Sequence, residues 1–491
     1  MMRERPHRDR TKQTCLDAHF PGLAYRCLGT AGSDADRYYD DIRIFQHIVF
    51  IFLDMFIILI IDLCHQVTQS DLQTGQILIA DREAGLIVGQ SGKMQMVALK
   101  RGGYEVDFYT QYTVPGHPEL RALCGDGPDL CTRIRNYLFT RLQKPAYYFF
   151  YGREERPPVP VKRILKQLEG PYDLIYIGFW QGLLSFETIA RIQERFQAPV
   201  VLSTVDLAVM TGGCHYPHDC TRYKQQCGRC PGLKCPVFDV FTRHNLQYRA
   251  AFYDRVKPVI LCNSFGAGLF GESPLLRGRE IVKVFPPIDE QLFCPKDKAS
   301  LRERFGIPAS REFVLLAGAQ NFQDDRKGGR YLLAALNAFY EGLSEAERER
   351  ILLLCVGNMA PEMAQAIRLD YRAMGYVALD VLADLYALSD VFLSPSVEDG
   401  GPLMVNQALS CGTPVVSFQV GTALDVVDGK GTGYCARLRD GEDFAEGIRR
   451  HFRMTAGQRA AQSERCRDMA LATTSYEACI RSLDRLLKTV E

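Results

Sequence analysis

Short apolar segments recur along the chain from about residue 77 onward, separated by helical stretches and mostly bounded by glycine, proline or asparagine. They are rich in β-branched residues and apolar on both faces, which is typical of strands buried inside a parallel sheet that helices cover on both sides. One set lies at 104–109, 174–178, 199–203 and 258–262, and a second at 313–316, 351–356, 391–394 and 414–418. Two sets of strands predict an α/β protein with two doubly wound domains.

The two sets are separated by Val284-Phe-Pro-Pro-Ile-Asp289. Paired prolines cannot continue a helix or a central strand, so this segment is the natural linker. We expect a first domain over residues 76–282, a second over 283–475, and a helix over 476–491 that packs back on the first domain. Ligands of open α/β sheets bind beyond the carboxyl ends of the strands, so the cleft between the domains is the expected site.

Residues 1–75 differ from the rest of the chain. Residues 1–43 show no sustained helical or strand period, whereas 48–61 is almost continuously apolar. That run is shorter than the roughly 20 residues that cross a bilayer, and Asp54 lies inside it. Three interpretations stay open: a membrane-associated segment, a buried strand or helix, and sequence upstream of the true start of the folded protein. The last two are favoured.

Charge and cysteine content exclude some classes of function. The 59 Lys and Arg against 58 Asp and Glu leave a net charge of +1, which argues against nucleic acid as a partner. The 17 cysteines are an odd total, and many lie inside apolar runs, which favours a reducing cytoplasm. Basic residues between 153 and 166 are explained by a solvated helix face, but a peripheral contact with the inner face of the membrane stays open.

One loop of the second domain gives the clearest functional signal. The strand at 391–394 is followed by Val397-Glu-Asp-Gly-Gly-Pro402. Pro402 suits the first turn of a helix, and Gly412 suits the position just past its end, so we expect a helix over 402–411. The backbone N–H groups at the positive end of that helix would form an anion site suited to a diphosphate.

Two side chains of the same segment could bind opposite ends of one nucleotide. Asp399 stands eight residues before Gln407, roughly two helical turns away. Gly400 and Gly401 lie between them and expose their backbone to the cleft. An ordinary Gly-Pro turn that caps a buried helix is the alternative interpretation.

A basic pair, Arg326 and Lys327, stands where the strand at 313–316 leads into the next helix. Cations are poorly placed at the start of a helix, where the dipole favours acids. A bound phosphate between the pair and the dipole would remove the conflict. The alternative is a solvated pair that Asp324 and Asp325 neutralise.

Together these segments resemble a known family, the retaining family-four glycosyltransferases of the GT-B fold, and most closely the branch that builds bacterial capsular polysaccharides and exopolysaccharides. The resemblance spans roughly residues 77–485. It rests on five segments in the family's order, at 179–185, 211–216, 284–293, 325–328 and 394–416. It implies two Rossmann-like domains with a cleft between them. It also implies transfer of a sugar from a nucleotide-diphosphate donor to a glycan or lipid-linked acceptor, with the anomeric configuration kept.

The resemblance also implies roles for individual residues. Arg326 and Lys327 would neutralise the donor diphosphate and Asp399 would lie near the sugar, and these are the predicted catalytic residues. The predicted donor-binding residues are Glu398, Gly400, Gly401, Leu403 and Gln407. Asp206 and His215 would lie on the acceptor side. Because preorganised cations stabilise the departing diphosphate, no metal cofactor is expected in catalysis.

Two positions depart from the family pattern. The acid that usually holds the ribose hydroxyls falls at Gln407, whose amide can still bond to hydroxyls. The histidine that precedes Asp206 in related members is replaced by Val205, and His215 could substitute for it. These departures support the alternative of a non-catalytic scaffold that binds a nucleotide sugar. A nucleotide-sugar epimerase of the same fold is the third interpretation.

A cysteine-rich loop over residues 211–236 needs its own explanation. Cys214, Cys220, Cys227, Cys230 and Cys235 fall within 22 residues. The Cys227–Cys230 spacing is that of a zinc knuckle, and Cys214 and Cys220 could complete a four-thiolate site. We rank structural zinc first, because metal would hold a segment too rich in Gly, Pro and His to bury a core of its own. Disulfides and free buried thiols stay open, and the loop is expected to overhang the acceptor side of the cleft.

Overall fold

The computed structural model describes residues 76–80, 90–113, 118–124, 130–148, 159–180, 183–204, 206–234 and 239–490. These residues lie within one compact unit, Gln73–Glu491. The predicted extension over 1–75, with its apolar run at 48–61, lies outside the described residues, as do Val205 and Cys235. Within the part of the chain that is described, no helix is both long and apolar enough to span a membrane.

The first lobe is built on a seven-stranded sheet with the strand order β3-β2-β1-β4-β5-β6-β7. Its strands are β1 (Gln76–Ala80), β2 (Val106–Thr110), β3 (Leu120–Ala122), β4 (Leu174–Ile177), β5 (Val200–Ser203), β6 (Val259–Cys262) and β7 (Ile281–Lys283). Its helices are α1 (Gln90–Arg101), α2 (Leu130–Leu142), α3 (Val161–Gln167), α4 (Phe186–Phe196), α5 (Asp239–Val256) and α6 (Ser264–Glu272). The sheet is parallel except at β1, which runs antiparallel to both β2 and β4.

The second lobe is built on a six-stranded, wholly parallel sheet with the order β10-β9-β8-β11-β12-β13. Its strands are β8 (Phe313–Asn321), β9 (Ile351–Asn358), β10 (Tyr371–Gly375), β11 (Val391–Ser394), β12 (Val415–Phe418) and β13 (Gly433–Ala436). The helices that come after α6 in the chain are α7 (Lys298–Arg304), α8 (Gly329–Glu341), α9 (Glu345–Glu349), α10 (Pro361–Ala366), α11 (Leu379–Leu388), α12 (Leu403–Ser410), α13 (Ala423–Val426), α14 (Gly441–Phe452), α15 (Ala456–Thr474) and α16 (Tyr476–Val490).

Burial on both faces explains why the apolar runs form central strands. In β4, Ile175 and Ile177 enter one core while Leu174 and Tyr176 enter the core on the opposite face. The same alternation divides β8 and β9 between two further cores. Each fully buried apolar side chain contributes about 1.5–3 kcal/mol. The prediction of two sheets covered on both sides is therefore confirmed, and the expectation of wholly parallel strands is wrong for β1.

The last helix of the described chain, α16, packs on the first lobe rather than on the second. Its buried residues Tyr476, Cys479, Leu483 and Leu486 share a core with residues of α1, β4, β5 and β6. In addition, the Gln95 amide on α1 lies 3.2 Å from the Cys479 sulfur. The chain therefore crosses between the lobes twice, once after β7 and once where α15 gives way to α16.

Candidate functional site

The loop between β11 and α12 forms one wall of the candidate site. Pro402 is the N-cap of α12, the helix ends at Ser410, and Gly412 has a left-handed φ of 74°. The helix predicted over 402–411 is thus confirmed to within one residue at each end. Glycine at position 412 stops the helix, because L residues with side chains rarely adopt that conformation.

The turn that carries the basic pair packs directly against this loop. Asp325–Lys327 form a 3-10 turn between β8 and α8, and Gly328 follows with a φ of 68°. A Cβ atom at Gly328 would lie 1.9 Å from the carbonyl oxygen of Pro395, so only glycine allows this approach. In addition, the backbone N–H of Val397 donates to the carbonyl oxygen of Arg326 at 2.7 Å. Backbone contacts therefore fix the two loops against each other.

Lys327 and Asp399 form an ion pair across the two loops, with 2.6 Å between Nζ and Oδ2. The other carboxylate oxygen of Asp399 accepts the backbone N–H of Gly401 at 3.1 Å. Burial by itself would raise the pKa of Asp399, but the Lys327 ammonium and the Gly401 N–H outweigh it, so the pKa lies below its ordinary value. Asp399 is therefore ionised and holds Lys327 beside the start of α12.

Arg326 is almost completely buried, with 6% of the residue exposed. Its guanidinium group donates to the Asp324 carboxylate at 2.7 Å. The guanidinium carbon lies 3.8 Å from the ring centroid of Tyr216 and 5.1 Å from that of Tyr148, both in the first lobe. Among the described residues, its Nε has no hydrogen-bond partner. The side chain is thus a fixed positive charge at the junction of the lobes.

Glu398 is contacted by the cysteine-rich loop of the first lobe. Its carboxylate accepts the backbone N–H of His218 at 2.8 Å, and the imidazole Nδ1 of His218 lies 3.1 Å from the other carboxylate oxygen. Burial raises the pKa of Glu398, although His218 and Arg326 act in the opposite direction. Next in the chain, Asp219 pairs with Arg439 of the second lobe at 2.9 Å. The loop therefore reaches across the cleft to the predicted donor-binding residues.

A cavity of about 180 Å³ separates the lobes beside these contacts. The first lobe lines it with Thr204 and Asn263, at the carboxyl ends of β5 and β6, and the second lobe with Gly400, Gly401 and Leu403. The side-chain amide of Asn263 donates to the carbonyl oxygen of Gly400 at 2.6 Å. The cavity thus lies beyond the strand ends, where ligands of open α/β sheets bind.

Gln407 lies deeper than the other predicted donor-binding residues. It is 6% exposed, and its Oε1 accepts a long 3.4 Å hydrogen bond from the hydroxyl of Tyr386, which is fully buried. The amide therefore packs partly against the core behind α12.

Asp206 and His215 form a buried pair in the first lobe. The Nδ1 atom of His215 lies 2.6 Å from Oδ2 of Asp206, and Oδ1 of Asp206 accepts the backbone N–H of Ala208 at 2.8 Å. The His215 ring also packs on Phe179, with 5.5 Å between centroids. These contacts fix the orientation of the imidazole. No pattern along the chain predicts the contact between Asp206 and His215.

The four cysteines of the predicted zinc site line one small cavity of about 20 Å³. Burial raises the pKa of the Cys214 thiol well above its ordinary value, and Cys227, Cys230 and Cys220 are close enough to raise it further. Across the described residues, no three or more His, Cys, Asp or Glu side chains already stand in a metal-binding arrangement. Zinc therefore stays a prediction.

Sequence reasoning missed the residues that join the lobes. Asn263 follows an apolar run and belongs to no motif. Its contact with Gly400 arises because it stands at the carboxyl end of β6, beside the cavity. Tyr148 and Tyr216 are far from Arg326 in sequence, and aromatic residues carry no periodic signal that would link them to it. His218 lies in the cysteine-rich loop, where nothing in the sequence links it to Glu398, its partner in the second lobe.

Two solved structures share this arrangement of two lobes. Sucrose-phosphate synthase from Thermosynechococcus elongatus is 19% identical, and the match covers 67% of this chain and 76% of that chain with a TM-score of 0.50. The Anabaena protein Alr3699/HepE, solved in complex with UDP, is 17% identical, with 67% and 82% covered and a TM-score of 0.50. The chain has the GT-B fold.

The second lobe also matches a family in sequence. Residues 312–453 match the family model described as glycosyl transferases group 1. That range contains β8 to α14, and with them Arg326, Lys327 and Asp399. This match supports the group 1 glycosyltransferase family, whereas the capsular and exopolysaccharide branch and the retention of configuration stay predictions.

Curated relatives match over shorter stretches. N-acetyl-α-D-glucosaminyl L-malate synthase from Bacillus anthracis is 26% identical over 174 residues, which are 34% of this chain and 43% of the relative. D-inositol 3-phosphate glycosyltransferase from Saccharomonospora viridis is 29% identical over 178 residues, which are 34% of this chain and 41% of the relative. The chain thus spans less than half the length of these relatives.

Proposed function

We propose that the protein transfers a sugar from a nucleotide-diphosphate donor to an acceptor hydroxyl in the cavity between the lobes. The observation that carries the proposal is the convergence of Lys327 and the Gly401 N–H on one buried anion, the Asp399 carboxylate. Groups that bind one anion next to Gly400 and Gly401, which line the cavity, are suited to bind a diphosphate there. The group 1 glycosyltransferase match over the same lobe supports this substrate class.

Lys327 is the more accessible member of the ion pair with Asp399. Its side chain is 24% exposed, whereas that of Asp399 is 8% exposed. A diphosphate held against Gly400 and Gly401, which line the cavity, would compete with Asp399 for the ammonium group. As the bond between sugar and phosphate breaks, negative charge grows on the departing diphosphate, and Lys327 stabilises it.

The role that we propose for Arg326 differs from the one that the resemblance implies. Its guanidinium group is held by Asp324 and the Tyr216 ring, so it supplies a fixed positive potential near the diphosphate rather than a side chain that closes on it. Once Lys327 turns to the diphosphate, the Asp399 carboxylate is available to the developing positive charge on the sugar. Retention of configuration belongs to this proposal and rests on the resemblance of residues 394–416.

The acceptor has two candidate classes. The family resemblance implies a glycan or lipid-linked acceptor at the inner face of the membrane, in polysaccharide biosynthesis. The names of two relatives, an N-acetyl-α-D-glucosaminyl L-malate synthase and a D-inositol 3-phosphate glycosyltransferase, point to small polar acceptors. Asp206 and His215 form their buried pair in the first lobe, where we place the acceptor, and neither residue is among those that line the cavity between the lobes.

A donor assay tests the proposal. Purified protein is incubated with UDP-, GDP- and dTDP-sugars, with and without acceptors of both classes, and nucleotide release and sugar identity are measured. We expect release of one nucleotide that falls about 10²–10³-fold in K327M, the effect of removing one group that stabilises transition-state charge. The control is K296M, because Lys296 forms an ion pair of the same length with Asp384, which keeps Arg304 as a second partner.

The alternatives predict different results in the same assay. Nucleotide binding without release would favour the non-catalytic scaffold, which the burial of Gln407 against Tyr386 supports. An altered sugar without release would favour the epimerase. Equal loss of activity in K327M and K296M would show that the effect is structural and would count against the proposal. When a product forms, the coupling constant of its anomeric proton reports whether the configuration is kept.

A further inference from the structure

We propose that Cys214, Cys220, Cys227 and Cys230 bind one Zn²⁺ ion, and that this ion fixes the loop by which the first lobe reaches the donor-binding residues. The four residues are spread along the loop over residues 211–234 and line the same cavity. That convergence, rather than the spacing of any one pair, is the starting observation. The metal site itself does not depend on the proposed function.

The size of the cavity selects the kind of ligand. Its volume is about 20 Å³, and about 10–15 Å³ is enough for one water molecule. One ion therefore fits, whereas an iron–sulfur cluster does not. Four thiolates are the donor set of closed structural zinc sites, with Zn–S distances of about 2.3 Å. Soft sulfur donors exclude calcium and magnesium, which prefer oxygen.

The backbone around Cys227 is strained in a way that needs an external restraint. Cys227, Gly228 and Arg229 have consecutive positive φ angles of 54°, 85° and 45°. Residues with side chains lose about 1–3 kcal/mol each in such conformations, and these persist only where the surroundings hold them. A metal bonded to Cys227 and Cys230 would hold both ends of this turn.

Apolar packing cannot supply that restraint. Between residues 217 and 234, Tyr223 is the only large apolar side chain that is buried. The rest of this segment is largely polar and exposed apart from its glycine, proline and cysteine residues. Segments that cannot bury a core of their own are often folded by a structural zinc ion, because the free energy of metal binding becomes free energy of folding.

The thiols need a small rearrangement to coordinate an ion. No group of three or more potential ligands in the described residues already has metal-binding geometry. Rotation about the Cα–Cβ bonds moves each sulfur without changing the backbone, and the ion would draw the sulfurs together as their protons leave. The proposal therefore predicts a measurable change in the loop when zinc binds.

The position of the ligands explains why the ion would matter for the site. Tyr216, His218 and Asp219 all lie between the first two ligands, Cys214 and Cys220. Their partners in the second lobe are Arg326, Glu398 and Arg439. Zinc would thus fix both ends of the short segment that bridges the lobes. This second part of the proposal rests on the proposed function, since it concerns nucleotide binding.

Metal analysis of the purified full chain tests the first part. We expect about one zinc per chain, the stoichiometry of a closed four-thiolate site, and the visible absorption of tetrahedral thiolate coordination after replacement by Co²⁺. C227S/C230S should lose the metal. The control C294S/C435S should keep it, because neither residue lines this cavity. The site would be overturned if the purified wild-type protein contained no zinc, or iron in its place. It would also be overturned if a thiol titration under denaturing, non-reducing conditions found fewer thiols than the chain has cysteines.

A second measurement keeps the test decisive if C227S/C230S does not fold. Zinc is removed from the wild-type protein with a chelator and then restored, and hydrogen exchange is followed in residues 211–234. We expect faster exchange without zinc and recovery when it returns. Unchanged exchange would overturn the structural role.

Nucleotide affinity tests the second part. We expect the dissociation constant of the bound nucleotide to rise about 3–30-fold on zinc removal, the range expected when aromatic contacts to a cation such as Arg326 are loosened. An unchanged dissociation constant would overturn the bridging role while the metal site stands. If no nucleotide binds even the zinc-loaded protein, the proposed function fails, and metal content and hydrogen exchange still decide the site.

Discussion

The two lobes hold their functional loops by different means. In the second lobe, the loops around Lys327 and Asp399 touch through the backbone, with Gly328 against the Pro395 carbonyl. In the first lobe, the loop over residues 211–234 is nearly without buried apolar side chains and reaches the cleft through Tyr216 and His218. The loops of the second lobe are held by backbone contacts, whereas the loop of the first lobe is held mainly by contacts that involve side chains.

The proposed function would account for this difference. A diphosphate has the same shape in every nucleotide sugar, so one rigid arrangement of loops serves all donors. The family match over residues 312–453 lies in this lobe. Under the proposed function the first lobe would face the acceptor, and its loops could change without loss of the donor site. Four predictions test this contrast, from the largest expected effect to the smallest.

Gly328→Ala should cause the largest loss, because the new methyl group would overlap the Pro395 carbonyl oxygen. We expect a fall in the free energy of unfolding of about 3 kcal/mol or more, from the clash and the left-handed backbone together. Gly429→Ala is the matched control, since Gly429 has a similar φ of 66° but no atom within 4 Å of the added Cβ. Urea unfolding measures both, and equal losses would show that the close approach of the loops is unimportant.

Tyr216→Ala should weaken the bridge from the first lobe without unfolding the second. The Arg326 guanidinium would lose the ring at 3.8 Å, a contact of about 0.5–2 kcal/mol. We expect nucleotide affinity to fall about 2–30-fold. Tyr434→Ala is the control, because Arg450 packs 4.7 Å from that ring in another part of the second lobe. A similar fall in affinity in the control would refute a specific role for Tyr216.

Acid should selectively weaken the Lys327–Asp399 pair. Because the folded-state pKa of Asp399 lies below its ordinary value of 3.8, the pair stabilises the fold above that pH. The stabilisation is lost as the pH falls through the lower folded-state value. Unfolding free energies measured between neutral and acid pH should therefore fall less steeply in D399N than in the wild type below the ordinary pKa. Parallel curves would contradict the ionised state of the buried carboxylate.

Asp219→Asn should have the smallest effect. Asp219 is 81% exposed on its side chain, and its partner Arg439 is 39% exposed. Exposed ion pairs contribute about 0–1 kcal/mol, so we expect little change in stability or nucleotide affinity and a response that disappears at high salt. A larger loss than in Tyr216→Ala would mean that charge, rather than ring packing, joins the lobes.

Burial on both faces is what made the fold predictable. All eight predicted strands occur, and most of them are continuous apolar runs inside a sheet, although β2 carries Asp107. Five further strands among the described residues were not predicted. Four are the edge strands β3, β7, β10 and β13, which are short and contain half-exposed residues that interrupt the apolar pattern, and the fifth is β1. The antiparallel direction of β1 depends on its pairing with β2 and β4, which local sequence does not encode.

The candidate site was predictable where it follows local rules. The start and end of α12 follow from Pro402 and Gly412, and the strand ends place Lys327 and Gly401 at the same edge. The contacts of Arg326 with Tyr216 and of Glu398 with His218 join residues more than a hundred positions apart. Such contacts form only when the two lobes pack together, so no local sequence pattern predicts them.

The packing of α16 on the first lobe has a consequence for protein synthesis. Leu99, Leu174 and Val201 share their core with Tyr476 and its neighbours, which the ribosome makes only after the entire second sheet. Domains generally fold as they emerge, the earlier ones first. Here the first lobe lacks the helix that covers one of its apolar faces until the whole second lobe has been translated.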